Sequence, residues 1–133
     1  MVLGIDTGFL LLLGQEHPRC TELWNGMHQG EHVPSISTLC IAEYIGFRIQ
    51  RGKFESAEQF IRVLENLPNV SLVPVSRWIA AQSARYRVGM GLSTVDSIIF
   101  STAILEGCTL FVTTDSVFNQ ESVRNLIPVE LLS

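Results

Sequence analysis

Short apolar runs rich in β-branched residues alternate along this chain of 133 residues with longer segments of helical periodicity. The runs that predict strands cover residues 2–5, 33–37, 70–75, 109–113 and 127–131. Apolar positions at helical spacing predict helices over residues 15–29, 38–49, 54–67, 77–88 and 93–106, with Gly89 and Gly91 opening a loop. This alternation predicts an α/β fold of one domain, residues 1–133, in which helices cover both faces of a mostly parallel sheet.

Composition narrows the classes of protein that fit this pattern. Apolar residues make up 47% of the chain, which disfavours disorder, whereas charged residues reach only 17% against a typical value of about 25%. A surface poor in charge suggests that a partner or a second copy covers part of it. The net charge of −4 argues against a generally basic nucleic-acid binder.

The cysteines and the apolar segments predict a cytoplasmic location without a membrane span. Three widely spaced cysteines suit reduced thiols better than a disulfide framework or a zinc site. The apolar run at residues 9–13 has no basic segment before it, so we do not expect a signal peptide. The uncharged stretch at residues 97–105 is far shorter than the roughly 20 residues that a membrane span needs.

Four acidic side chains fall at one edge of the predicted sheet. Asp6 directly follows the first strand, and Asp115 closely follows the fourth. Asp96 lies in the first turn of the helix before that fourth strand, and Glu43 lies about a turn and a half into the helix after the second. Because sites in open α/β sheets form outside the carboxyl ends of the strands, we expect these carboxylates to share one site.

Each acid also has a purely structural interpretation. Asp6 and Asp115 suit helix N-caps, Asp96 stands three residues after Ser93 as in a capping box, and Glu43 suits a solvated helix face. However, Glu43 and Asp96 are the only charged residues within long uncharged segments. A carboxylate in such surroundings needs either solvent or a cation.

The chemistry that four clustered carboxylates favour is binding of a divalent metal. Like charges raise one another's pKa, and a hard cation with oxygen ligands relieves the repulsion. Mg²⁺ or Mn²⁺ fits better than Zn²⁺ because the chain has no cluster of cysteine and histidine. Such a site supports hydrolysis of a phosphodiester by metal-activated water.

The segments that carry the four acids resemble those of a known family. Gly-Ile-Asp6-Thr7, Ile-Ala-Glu43-Tyr, Thr-Val-Asp96-Ser and Thr-Thr-Asp115-Ser follow one another as in the PIN-domain ribonucleases, and most closely as in the small VapC-type toxins of toxin–antitoxin pairs. The resemblance implies a five-stranded parallel sheet, metal-dependent cleavage of RNA that leaves a 5′-phosphate and a 3′-hydroxyl, a homodimer and a cognate antitoxin. It places these acids at the family's four acidic positions.

Hydroxyl and basic side chains complete the predicted site. Thr7, Ser97 and Thr114 stand beside three of the acids, and we expect them to support the carboxylates. The candidate contacts to RNA phosphates are Arg48, Arg51, Lys53, Arg85 and Arg87, although compensation of helix dipoles is an equally simple use of a basic residue. Without the four proposed ligands, nine acids stand against nine bases, so the negative balance lies in the metal site itself.

Two alternative functions stay open at this point. Gly8 stands where the family usually has an asparagine that supports the site, which leaves room for a non-catalytic module that binds RNA or protein. The acids alone also do not choose between an RNA nuclease, a DNA nuclease and a phosphatase. Asp6-Thr7-Gly8 is the tripeptide of aspartic proteases as well, but that all-β fold disagrees with the helical pattern.

Overall fold

Five parallel strands form one sheet. They are β1 (Val2–Ile5), β2 (Val33–Ser37), β3 (Ser71–Val73), β4 (Leu110–Thr113) and β5 (Val129–Leu131). The computed structural model describes all 133 residues, and in it the strands lie in the order β3-β2-β1-β4-β5. In β1, Ile5 pairs with Ile36 on one side and with Val112 on the other.

The strand order places a topological switch next to β1. The chain runs outward from β1 to β3 and then returns to lay β4 on the opposite side of β1. Connections therefore leave the carboxyl ends of β1 and β4 in different directions, and they open a crevice there. This is the edge at which Asp6 and Asp115 lie.

Seven helices surround the sheet, which confirms the predicted α/β fold. They are α1 (Thr7–Gly14), α2 (Pro18–His28), α3 (Thr38–Ile49), α4 (Phe54–Glu65), α5 (Arg77–Met90), α6 (Thr94–Leu105) and α7 (Glu121–Arg124). α6 packs on β1 and β2, and α5 packs on α6. The side chains of Ser37, Ser76 and Ser93 each accept a hydrogen bond from the first turn of α3, α5 and α6, as N-caps do.

An aromatic cluster holds the segment after β4 in place. The rings of Phe100 in α6, Phe111 in β4 and Phe118 in the 3₁₀ turn Ser116–Phe118 lie 4.9 to 5.9 Å apart. All three side chains are buried. Because this turn directly follows Asp115, its anchoring in the core determines where that acid sits.

The structure corrects three predicted boundaries. Residues 7–14 form helix α1, which was not predicted because an unbroken apolar run has no polar face and so no helical period. The helix predicted over residues 15–29 begins at Pro18, whose fixed φ suits a first helical position. Gly89 belongs to α5, and that helix ends only at Gly91, which adopts a left-handed φ of 68°.

The structure contains no disulfide. All three cysteines are free thiols. No single helix is long and apolar enough to cross a bilayer. The pair α5 and α6 reaches the necessary length and apolar composition only when both helices are taken together, and they are bent by 116° relative to each other.

Candidate functional site

The four predicted acids line one cleft. It has a volume of about 250 Å³ and lies at the carboxyl edge of β1 and β4. Asp6, Glu43, Asp96 and Asp115 share its walls with Thr7, Gly8, Leu11, Ile99 and Thr114. No lysine, arginine or histidine lines this cleft, so no cation of the chain balances the carboxylates there.

Three hydrogen bonds hold the carboxylate of Asp6. Its Oδ1 accepts from the backbone N–H of Phe9 at 3.1 Å, which makes Asp6 the N-cap of α1. Its Oδ2 accepts from Thr113 Oγ1 at 2.5 Å and from the backbone N–H of Thr114 at 3.3 Å. Burial raises the pKa of Asp6 above its usual value, because these hydrogen bonds only partly offset the loss of hydration.

Thr113 is a residue of the site that was not predicted. Its side chain is fully buried, and its hydroxyl both donates to Asp6 and accepts from the backbone N–H of Asp115 at 3.0 Å. It thereby joins the two acids that follow β1 and β4. The sequence signal for Thr113 was a hydroxyl at the end of an otherwise apolar strand. That signal points to Asp6 only once β4 is known to pair with β1.

Thr7 supports Glu43 and not its sequence neighbour Asp6. Thr7 Oγ1 donates to Glu43 Oε1 at 2.6 Å, across 36 positions of sequence. This hydrogen bond orients an exposed carboxylate that leans from α3 into the cleft.

Asp96 lies half-buried in the first turn of α6. Its backbone N–H donates to Ser93 Oγ at 3.0 Å, which is one half of the predicted capping box. Burial is the main cause that raises the pKa of Asp96. The hydrogen bond with the Ser93 side chain lowers this pKa, and repulsion from Asp115 and Glu43 raises it further. Asp96 also raises the pKa of Asp6 by repulsion, so it is the acid that interacts with each of the other three.

The remaining predicted side chains of the site are those of Asp115, Ser97 and Thr114. Asp115 is exposed, and its Oδ1 caps the following 3₁₀ turn by accepting from the backbone N–H of Val117 at 2.9 Å. Ser97 does not support an acid, contrary to prediction, because its buried hydroxyl donates to the Thr94 carbonyl at 2.7 Å inside α6. The Thr114 hydroxyl does not support an acid either, since Thr114 bonds to Asp6 only through its backbone N–H.

The predicted basic residues lie outside the acidic cleft. Arg48 and Lys53 line an open groove of about 720 Å³ at the end of α3. The Arg51 guanidinium lies 3.5 Å from the centre of the Phe47 ring, and Arg85 and Arg87 are exposed on α5. The structure thus gathers the acids but leaves the bases spread over the end of α3, the turn that follows it and α5.

A family model identifies the fold, and sequence comparison with individual proteins adds no relative. The model of the PIN domain matches residues 4–122. A search among curated proteins finds no match.

Solved structures resemble this chain over most of its length. VapBC2 from Rickettsia felis, bound to a DNA fragment from its promoter, matches with a TM-score of 0.76 and 19% identity over 100% of both chains. A toxin–antitoxin complex from Klebsiella pneumoniae matches with a TM-score of 0.68 and 18% identity over 98% of this chain and 96% of the other. VapC20 from Mycobacterium tuberculosis, a toxin that cleaves the sarcin–ricin loop, matches with a TM-score of 0.65 and 18% identity over 84% and 87%.

Proposed function

Because this chain belongs to the PIN domain family, we propose that it is a divalent-metal-dependent endoribonuclease and the toxin of a toxin–antitoxin pair. The observation that carries the proposal is the convergence of four carboxylates, from four separate segments, on one cleft without a balancing basic side chain. The neighbouring folds support the same class, since they include toxin–antitoxin complexes and a toxin that cleaves the sarcin–ricin loop.

The donor set fits a hard divalent cation in its chemistry. Mg²⁺ and Mn²⁺ prefer carboxylate oxygen, and the cleft presents carboxylate oxygens from Asp6, Glu43, Asp96 and Asp115. No group of three or more acidic, histidine or cysteine side chains is arranged to hold an ion as it stands. We infer that Glu43, Asp96 and Asp115, each held by fewer hydrogen bonds than Asp6, would adjust their side chains on binding.

The residues of the cleft have different proposed roles in binding a divalent cation. Asp6, tied to β4 through Thr113, supplies a rigid ligand, and Thr7 limits the movement of Glu43. Asp96 and Asp115 supply the charge that a cation would neutralise, so binding would relieve the repulsion that raises the pKa of Asp96. A bound divalent ion would activate water and stabilise the charge that develops on a phosphodiester.

The substrate that we propose is RNA, whose phosphates would contact basic side chains outside the acidic cleft. Arg48 and Lys53 line the open groove at the end of α3, the helix that carries Glu43. Contacts of this kind position a phosphate backbone without reading its sequence.

The proposed partners are a cognate antitoxin and a second copy of the chain. An apolar groove of about 340 Å³, lined by Leu10, Leu13, Trp24, Tyr44 and Phe60 among others, offers the antitoxin a hydrophobic surface. The low content of charged residues is consistent with surfaces that become covered. Analytical ultracentrifugation of the isolated chain would test the predicted homodimer.

The proposal is tested by cleavage of labelled RNA with purified protein and Mn²⁺. We expect cleavage to stop in excess EDTA and to fall at least 100-fold in Asp6→Asn and Asp96→Asn, because each removes a proposed ligand. Glu106→Gln is the matched control, since Glu106 is an exposed acid just past the other end of α6 and should leave cleavage unchanged. Equal cleavage in EDTA, or equal loss in the control, would refute the mechanism.

One observation favours a second candidate, a non-catalytic module that binds RNA or protein. The acids do not form a closed ion cage in this arrangement. Calorimetry with Mn²⁺ separates the two functions, because a module that keeps its acids for capping alone would show no binding at millimolar concentration. A parallel assay on RNA, DNA and a small phosphoester would distinguish the ribonuclease from a DNA nuclease or a phosphatase.

A further inference from the structure

Position 8 of the chain has room for no side chain, although its backbone does not require glycine. Gly8 lies in the first turn of α1, and it has no left-handed φ. A Cβ atom built there would overlap Thr114 Oγ1 and would lie 2.8 Å from both Cβ and Cγ2 of Thr114. The space that a side chain at position 8 would take is therefore filled by Thr114, across 106 positions of sequence.

Rotation of Thr114 does not remove this conflict. Turning the side chain about χ1 moves Oγ1 and Cγ2, but the Thr114 Cβ is fixed by its backbone and stays too close. That backbone is itself held, because the Thr114 N–H donates to Asp6 Oδ2 at 3.3 Å. A side chain at position 8 would therefore require both the side chain and the backbone of Thr114 to shift.

Thr114 lines the acidic cleft, and its hydroxyl has no hydrogen-bond partner within the chain. Thr114 is exposed and lines the cleft with the four acids. Its neighbour Thr113 uses its own hydroxyl on Asp6 and on the Asp115 backbone, whereas Thr114 bonds to Asp6 only through its backbone N–H. The side chain of Thr114 consequently adds a hydroxyl to the cleft without serving the fold through it.

We propose that the Thr114 hydroxyl is a further polar group of this site and that Gly8 is needed to make room for it. The hydroxyl hydrogen-bonds to an oxygen held among the acids, either water around the bound ion or a phosphate oxygen of the substrate. This inference rests on the proposed function, since it assigns a residue to the same cleft.

The first test removes the hydroxyl while keeping the shape of the side chain. We expect Thr114→Val to weaken Mn²⁺ binding or to raise the KM for RNA by about three- to tenfold, the effect of one hydrogen bond. Thr114→Ser, which keeps the hydroxyl, should stay within about twofold of the wild type. Weaker Mn²⁺ binding by calorimetry assigns the contact to the hydrated ion, and a change in KM alone assigns it to phosphate.

The second test moves the hydroxyl from position 114 to position 8. A serine at position 8 carries its Oγ one covalent bond beyond the Cβ that now overlaps Thr114 Oγ1, so it can reach the same region. We expect Gly8→Ser to lower the melting temperature of the metal-free protein in the wild-type background but not in a Thr114→Gly background. The double variant should also recover the Mn²⁺ affinity or KM that Thr114→Gly loses.

The double variant Gly8→Ala with Thr114→Gly is the matched control, since it relieves the overlap without restoring a hydroxyl. Recovery equal to that of the serine variant, or wild-type binding and KM in Thr114→Val, would overturn the role of the hydroxyl. A Gly8→Ser variant as stable as the wild type would overturn the spatial argument. A wild type that neither binds Mn²⁺ nor cleaves RNA would instead refute the proposed function, and the hydroxyl's role with it.

Discussion

Replacing Thr113 by valine should show how much the hydrogen bond to the buried carboxylate of Asp6 contributes to the stability of the fold. The change keeps the shape of a fully buried side chain but removes the hydroxyl that donates to Asp6 Oδ2 at 2.5 Å. A hydrogen bond to a charged group contributes about 1.5–3 kcal/mol, and the Asp115 N–H loses its acceptor as well. We expect a loss of about 2–3 kcal/mol, which for a domain of this size lowers the melting temperature by roughly 6–15 °C.

The pH dependence of this loss follows from the pKa of Asp6. Burial raises that pKa above 3.8, so ionisation of Asp6 lowers the free energy of unfolding as the pH rises from 3.8 through the folded value. The hydrogen bond from Thr113 is the largest of the contributions that lower the pKa, and its removal raises the folded value further. The destabilisation should therefore be small near pH 4 and should grow toward pH 8.

The assay is thermal unfolding followed by circular dichroism in chelator, between pH 4 and pH 8. Thr102→Val is the matched control, because its equally buried hydroxyl donates only to the Ile98 carbonyl of its own helix, at 2.8 Å. That neutral hydrogen bond should contribute about 1 kcal/mol or less, with no dependence on pH. A loss in Thr113→Val that matches the control at pH 8, or that does not shrink toward pH 4, would show that Asp6 is not held as described.

Three further predictions concern packing, an ion pair and the metal. Gly26→Ala should lower stability by about 1–3 kcal/mol in thermal unfolding, because the added Cβ would overlap the His32 ring and lie 2.8 Å from its Nε2, whereas helix propensity alone predicts a gain. Glu130→Gln should lower the free energy of unfolding by about 1 kcal/mol or less at pH 7, since the partner side chain of Arg19 is 35% exposed. The hydrogen bond from Arg19 lowers the pKa of Glu130. The stabilisation by this ion pair is therefore present above pH 4.5 and is lost as the pH falls through the lowered folded pKa. Millimolar Mn²⁺ should raise the melting temperature of the wild type but not that of Asp96→Asn, and an equal rise in both would remove Asp96 from the proposed ligands.

Local chemistry was sufficient to predict most elements of the fold. Strand β1 has the predicted bounds Val2–Ile5 and helix α3 the predicted bounds Thr38–Ile49, because apolar runs and helical periodicity are local signals. Helix α1 escaped prediction because a helix that packs on several sides needs no polar face.

The gathering of the acids also followed from sequence, through topology. Asp6 and Asp115 follow neighbouring parallel strands, whose carboxyl ends meet at one edge of the sheet. This rule predicts which residues share a cleft, but it does not predict which atoms touch. Ser97 illustrates the limit, since it neighbours Asp96 in sequence yet donates its hydroxyl inside its own helix.

Only the tertiary structure decided the contacts that shape the cleft. Thr113 bonds to Asp6 across 107 positions, and Thr114 fills the space beside Gly8 because the register sets Ile5 beside Val112. The sequence was sufficient to propose the four acids as the candidate site. Glu43 and Asp96 are lone charges in uncharged segments, and Asp6 and Asp115 follow predicted strands. The hydrogen-bond partners of these acids could not be predicted, because they depend on distances between strands and helices that sequence spacing does not encode.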